Sequence, residues 1–242
     1  MGSEDVYITG IDMIKFGKFP DRSIAALGAE SALGALDDAG VTINDIEALY
    51  SGNLMMAAGM VGQQIQQEIG QTGIPVVNCS NACATGATAL REGFIAIKAG
   101  IYDTVLAVGV EKLAGAGMLG GGGGSKGIHP EGLLGSGSMP CVFAEAGMAH
   151  AKDYGTTFEQ FAQIAVKNHH HSTMNPKARY QIETPLEEVM GAEMISYPNT
   201  KLMCSANVDG SAAAVLMSEK EMKKRGLQGQ AVKIRASVLT TD

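Results

Sequence analysis

Two periods alternate along the first 113 residues. Val6 to Phe16 reads as a strand. Ser23 to Ala39 then takes helical spacing, with Ile24, Leu27, Ala32, Ala35 and Leu36 roughly on one face. Ser23 suits the cap of that helix and Gly40 its stop. Ile46 to Leu54 predicts a second strand, Gly59 to Ile69 a short Gln-rich helix, and Pro75 to Cys79 a third strand. Ala84 to Ala99 predicts a third helix and Thr104 to Val110 a fourth strand, apolar throughout, as a parallel strand covered on both faces would be. This βαβαβαβ order predicts a layered α/β fold with right-handed crossovers.

The rhythm stops at a glycine-rich stretch, Gly115 to Ser138, which contains the run Gly120 to Gly124. Helical patterns follow over Cys141 to Asp153 and Thr157 to Asn168, then a polar segment to Lys201. Alternation returns in the small-residue strand Ser211 to Met217, the charged helix Ser218 to Arg225 with Gly226 as its stop, and a last strand, Ala231 to Leu239. The organisation expected is therefore an α/β half over 1–113 and 202–230, a mainly helical insertion over 114–201, and the first strand of something further over 231–242. Asp209-Gly210 reads as a tight turn into its strand. The third helix spreads Ala84, Gly86, Ala87, Ala89, Gly93, Ala96 and Ala99 around its circumference, which predicts close packing on several sides.

Composition narrows the classes. The 242 residues are 45% hydrophobic and 18% charged, with net charge −7. Without a polybasic run, neither nucleic acid nor an anionic membrane is an expected partner. No apolar run approaches the ~20 residues that span a bilayer. The first residues are acidic and do not read as a signal peptide. The four cysteines, Cys79, Cys83, Cys141 and Cys204, lack zinc-knuckle spacing and suit a reducing, cytoplasmic setting.

Chemistry concentrates at one junction, Asn78-Cys79-Ser80-Asn81-Ala82-Cys83-Ala84-Thr85-Gly86. Here an apolar strand turns into a helix. Cys83 falls at or just before the first helical turn, where free N–H groups and the positive dipole end favour a thiolate. Such a group can attack a carbonyl carbon. The bland alternative is a small buried residue, and for Cys79, Cys141 and Cys204 core packing is the reading adopted. His169-His170-His171 cannot converge on one ion from adjacent helical positions, so no metal is expected; they suit the C-terminal end of the Thr157 helix. His129 and His150 are isolated; a surface role is the reading adopted, with lining of the pocket as the alternative for His150. The Gly120 to Gly124 run lacks the Lys-Ser/Thr ending of a phosphate loop.

These residues resemble the thiolase superfamily, closest to its sterol-carrier-protein-2 type, along essentially the whole chain. The resemblance rests on Val6-Tyr7-Ile8-Thr9-Gly10, Asn81-Ala82-Cys83-Ala84-Thr85-Gly86, Ala144-Glu145-Ala146-Gly147 with Tyr154-Gly155-Thr156-Thr157, Val166-Lys167-Asn168-His169 with Asn175-Pro176, and Asp209-Gly210-Ser211-Ala212-Ala213-Ala214. It implies a thiolase fold of two βαβαβαβ halves in five layers, with the cysteine helix in the middle layer. The insertion then corresponds to a loop domain that helps hold coenzyme A and build oligomers.

By the same resemblance, Cys83 is the nucleophile that takes an acyl group from an acyl-CoA or 3-ketoacyl-CoA substrate, its own N–H helping to stabilise the oxyanion. Val142 and Phe143 match positions that touch the pantetheine arm; core packing would place them equally well. Coenzyme A thioester is substrate here, and no resident cofactor is implied. A homodimer through the strand near Cys83 is expected. The family's activating His, its water-binding Asn-and-His pair and its second Cys have no counterpart motif in these residues. A truncated product accounts for that better than a natural split subunit, and residues 1–242 alone are expected to be inactive. Two alternatives stay open: a retro-aldolase on acyl-CoA working with a small zinc-binding OB-fold partner, and a non-catalytic thiolase-fold subunit that needs another chain.

Overall fold

The structure, a computed structural model, describes residues 4–114 and 139–240. The Gly120 to Gly124 run and His129 lie outside the described residues. The elements, in chain order, are β1 (Val6–Met13), α1 (Ile24–Asp38), β2 (Ala48–Gly52), α2 (Val61–Ile69), β3 (Val76–Cys79), α3 (Thr85–Lys98) and β4 (Thr104–Lys112). There follow α4 (Met139–Tyr154), α5 (Phe158–Thr173), α6 (Leu186–Gly191), β5 (Met194–Ser196), β6 (Asn199–Thr200), β7 (Asp209–Ser218), α7 (Glu219–Lys224) and β8 (Val232–Lys233). The chain divides into two compact units: Met1–Ile14, Phe19–Lys112 and Asp209–Asp242 form one, and Lys15–Lys18 with Leu113–Val208 form the other.

The first unit is a six-stranded sheet in the order β3-β2-β4-β7-β1-β8. β2 runs parallel to β3 and to β4, while β7 is antiparallel to both β4 and β1. β4 is buried on both faces, as its apolar run requires, yet only one of its neighbours is parallel. Successive β4 side chains point to opposite faces. Val105 and Ala107 join Ala48, Tyr50, Ala89, Ala96, Ile97 and Leu216 in a cluster beneath α3. On the other face α1 lies against β1, β7 and β4 and also packs on α2. Leu27, Ala32 and Ala35 of α1 are fully buried there, and each large side chain so covered is worth about 1.5–3 kcal/mol. Ser23 caps α1, its Oγ accepting the N–H of Ala26 at 3.0 Å. Gly40 follows with φ 65, a backbone that favours glycine.

Two expectations are corrected. Asp209 and Gly210 are not a turn but the first residues of β7, paired with Lys112 and Glu111. Asp209 is 1% exposed, and its carboxylate accepts the N–H of Phe19 at 2.8 Å; a tertiary partner outweighs the local turn preference of Asp-Gly. The last strand is only Val232–Lys233, paired with Ile8 and Tyr7 of β1, after which the N–H of Ile234 donates to the carbonyl oxygen of Val6 at 2.9 Å. Val238 beyond it is 81% exposed. Among the described residues α3 is covered on one side: Thr85, Ala89, Gly93, Ala96 and Ile97 are buried, Leu90 and Phe94 are half-buried, and Ile95 is exposed.

The second unit holds α4, α5, α6 and the β5–β6 pair. Its core is Ala162, Ala165 and Val189, backed by Val166, Leu186, Met190, Leu202 and Met203. Thr157 and Gln160 close a capping box at the start of α5. The stretch read as a polar segment contains α6 and β5–β6, which the sequence pattern missed because both are very short. Among the described residues no helix is long and apolar enough to cross a membrane.

Candidate active site

The parallel strands β2, β3 and β4 end at the same edge of the first unit, and the β3-to-α3 junction sits there. Asn78 holds β3 to the next layer: its Oδ1 accepts the N–H of Gly62 at 2.8 Å and its Nδ2 donates to Gln63 Oε1 at 2.7 Å. The chain then makes a single 3₁₀ turn, Ala82–Ala84, before α3 begins. Ala82 enters it with φ 43, in the left-handed region that costs an L-residue roughly 1–2 kcal/mol. Cys83 follows and is exposed. The cap position of α3 is Ala84, and among the described residues no side chain caps the helix.

Glycines let this turn rest directly on the sheet. A Cβ on Gly52, the last residue of β2, would lie 2.7 Å from the carbonyl oxygen of Thr85. One on Gly109 of β4 would lie 3.1 Å from the Cα of Gly86. Backbone therefore meets backbone where any other residue would push α3 away. Beside the junction, Glu111 pins the connection after β2. Its carboxylate accepts from Asn53 Nδ2 at 2.9 Å, from the N–H of Leu54 at 2.9 Å and from the N–H of Met55 at 3.1 Å.

None of the four cysteines is in a disulfide, and their surroundings differ. Cys79, at the end of β3, packs against the cluster beneath α3. Burial pushes its thiol up, and the charge of Glu92 adds to that. Burial also pushes up the Cys204 thiol, whose Sγ lies 3.5 Å from the carbonyl oxygen of Thr200. A raised value keeps a thiol protonated and a poor nucleophile. Cys141 is half-buried on α4. Only Cys83 combines exposure with a place at the start of a helix.

Val142 and Phe143 belong to the second unit, on α4, and are 38% and 63% exposed. Neither is part of that unit's apolar cluster; on their helix Pro140 and Ala144 are the buried residues. His169, His170 and His171 lie within the end of α5. His169 Nε2 is 3.0 Å from the carbonyl oxygen of Leu202, and His170 Nδ1 is 2.6 Å from Glu183 Oε1. Among the described residues no group of three His, Cys, Asp or Glu is arranged to hold a metal ion. His150 Nδ1 pairs with Thr156 Oγ1 at 3.0 Å. Arg91 and Glu92, adjacent on α3, pair with each other at 3.2 Å.

A mixed α/β sheet with an exposed cysteine on a strand-to-helix elbow defines the class, and comparison with known proteins names it. Residues 6–193 match the thiolase N-terminal domain, and the chain belongs to the thiolase family. It is 36% identical over 248 residues to sterol carrier protein 2 of Gallus gallus, a match covering 98% of this chain and 45% of that protein. It is 35% identical over 229 residues to an acetyl-CoA acetyltransferase of Methanothermobacter thermautotrophicus, covering 88% of this chain and 56% of that one. The chain thus spans about half the length of these relatives. Among solved structures, the Acat5 thiolase of Ascaris suum in complex with coenzyme A superposes with a TM-score of 0.69 at 21% identity, over 93% of this chain and 69% of that one. The Ltp2-ChsH2(DUF35) aldolase superposes with a TM-score of 0.73 at 22% identity, over 90% of this chain and 57% of that one. Both likenesses are of fold.

Proposed function

We propose that the protein carrying this chain performs coenzyme-A-dependent acyl transfer or 3-ketoacyl-CoA cleavage through an acyl-cysteine at Cys83. The observation that carries this reading is the exposed Cys83 on the elbow of a thiolase N-terminal domain. The Sγ attacks the carbonyl carbon of the substrate and forms the S–C bond. With an acyl-CoA, the tetrahedral intermediate collapses by breaking the bond to coenzyme A, which leaves as its thiolate. With a 3-ketoacyl-CoA, the carbon–carbon bond breaks instead, and the departing acetyl-CoA carbanion takes up a proton. The acyl group then passes to coenzyme A or to the carbanion of a second acyl-CoA, which restores the free Cys83. Splitting one transfer into two covalent steps lowers each barrier, and in this reading the N–H of Cys83 helps to stabilise the oxyanion.

Val142 and Phe143, exposed and apolar, suit contact with the pantetheine arm. Among the described residues β3 is paired on one side only and Val77 on it is 43% exposed, which suits homodimer formation along that edge; a monomer by light scattering of the complete protein would refute it. The test of the chemistry is incubation of the complete protein with acetyl-CoA followed by peptide mass mapping. An acetyl group on Cys83, abolished along with turnover in Cys83→Ala, is the expected result. Retained turnover in that variant would sink the reading. Residues 1–242 alone are expected to show no thiolysis.

The fold shared with the Ltp2-ChsH2(DUF35) aldolase supports a second reading, a retro-aldolase working with a small zinc-binding OB-fold partner. Product analysis separates the two. A thiolase yields two acyl-CoA products, whereas an aldolase yields a ketone or aldehyde with one acyl-CoA and does not depend on Cys83. A third reading, a non-catalytic subunit, predicts neither set of products.

A further inference from the structure

We infer that Thr85 is the positioning residue of the elbow: its buried hydroxyl holds the left-handed Ala82 in place and so fixes where Cys83 stands. The inference rests on the reading of Cys83 as the nucleophile and adds a residue to it.

An alanine at φ 43 has no side-chain chemistry that favours such a backbone. It persists only where its neighbours over-determine it. Here they do so through one hydroxyl. Thr85 Oγ1 accepts the N–H of Asn81 at 2.7 Å and donates to the carbonyl oxygen of Ala82 at 2.7 Å. The two bonds flank the strained residue, one on each side. Thr85 is 6% exposed, so no water readily replaces the hydroxyl once it is removed. A second bond works in the same direction, Asn81 Nδ2 donating to Thr88 Oγ1 at 3.0 Å.

Thr85 can serve as an anchor because its own backbone is seated. Its carbonyl lies over Gly52, with no room for a Cβ between them. Cys83, in contrast, is exposed, and the cap position beside it is an alanine without a side-chain bond. Its position is inherited from Ala82 on one side and Thr85 on the other. A nucleophile misplaced by an ångström loses much of its rate, so a residue that touches no substrate still bears on the chemistry.

The test is iodoacetamide alkylation of the intact protein at neutral pH, with each cysteine followed by peptide mapping. Thr85→Ser keeps the hydroxyl, and Thr85→Val keeps the shape without it. In the wild type Cys83 is expected to react fastest of the four. Thr85→Val should slow Cys83 about two- to fivefold, the size of a lost helix-start interaction. Thr85→Ser should restore the rate, and Cys79, Cys141 and Cys204 should not change. A wild-type Cys83 no faster than the other thiols would refute the nucleophile reading itself. A fast wild-type Cys83 that is untouched by Thr85→Val, or slowed equally by Thr85→Ser, would overturn the role of Thr85. Ala82→Gly supplies an independent measure, since glycine accepts a positive φ without penalty. The melting-temperature loss from Thr85→Val, or its failure to fold, should be relieved in the Ala82→Gly background; equal losses in both backgrounds overturn the inference.

Discussion

Two of the strand-to-helix junctions of the first unit's sheet are built to opposite ends. Between β1 and α1 the chain is satisfied from within. Ser23 caps the helix, Lys112 Nζ donates to the carbonyl oxygens of Phe19 and Arg22 at 2.9 and 2.6 Å, and Asp209 accepts the Phe19 N–H. Between β3 and α3 no side chain caps the helix, a non-glycine residue sits at positive φ, and a thiol faces outward. One junction uses its polar groups to make structure. The other leaves the helix start open and stores strain beside it, which is where functional sites keep such costs.

The largest effect expected on this contrast comes from the core behind the first junction. Leu27→Ala, at a fully buried position, should cost about 2–5 kcal/mol by urea denaturation and leave Cys83 alkylation in the folded protein unchanged. Next comes the seat of the second junction. Gly52→Ala puts a methyl group against the Thr85 carbonyl and should cost about 1–3 kcal/mol while altering the Cys83 alkylation rate. If it left that rate alone, the elbow would not depend on its glycine floor. Ser23→Ala should cost about 0.5–2 kcal/mol in thermal melts with no change at Cys83, separating a cap that only stabilises from one left vacant.

The smallest effect is expected from acid. The Ser218 hydroxyl, then Lys220, lower the Asp103 carboxyl. The Thr42 backbone N–H, with Arg225, lowers Asp45. Burial works against ionisation of Glu221, but bonds from Lys224 and Arg225 outweigh it and lower its value. Depressed carboxylates stabilise the fold above their unfolded values, near 4, and that stability is lost as pH falls through the folded values. Melting temperature should therefore decline below about pH 4, and Ser218→Ala should weaken the dependence. The elbow's stitches, Asn81, Thr85 and Thr88, carry no titratable group and should contribute nothing to it.

Much of this was legible residue by residue. The α1 face, its Ser23 cap and its Gly40 stop follow from spacing and local chemistry, and Cys83 stood out because a strand and a helix meet around it. Ala82 carried no signal, since nothing in an alanine announces a positive φ. Gly52 and Gly109 were readable only as glycines near strand ends until α3 was seen resting on them. Asp209 was misread because its partner, Phe19, is far away along the chain.

The sequence by itself determined the alternation of elements and the junction that carries Cys83, because hydrophobic period and capping act over a few residues. Only the tertiary structure decided that antiparallel β7 lies between β4 and β1, that β8 stops after two pairings, and that the elbow is strained and held by Thr85. Those outcomes depend on which distant backbones find each other to hydrogen-bond and pack, and no local pattern encodes that choice.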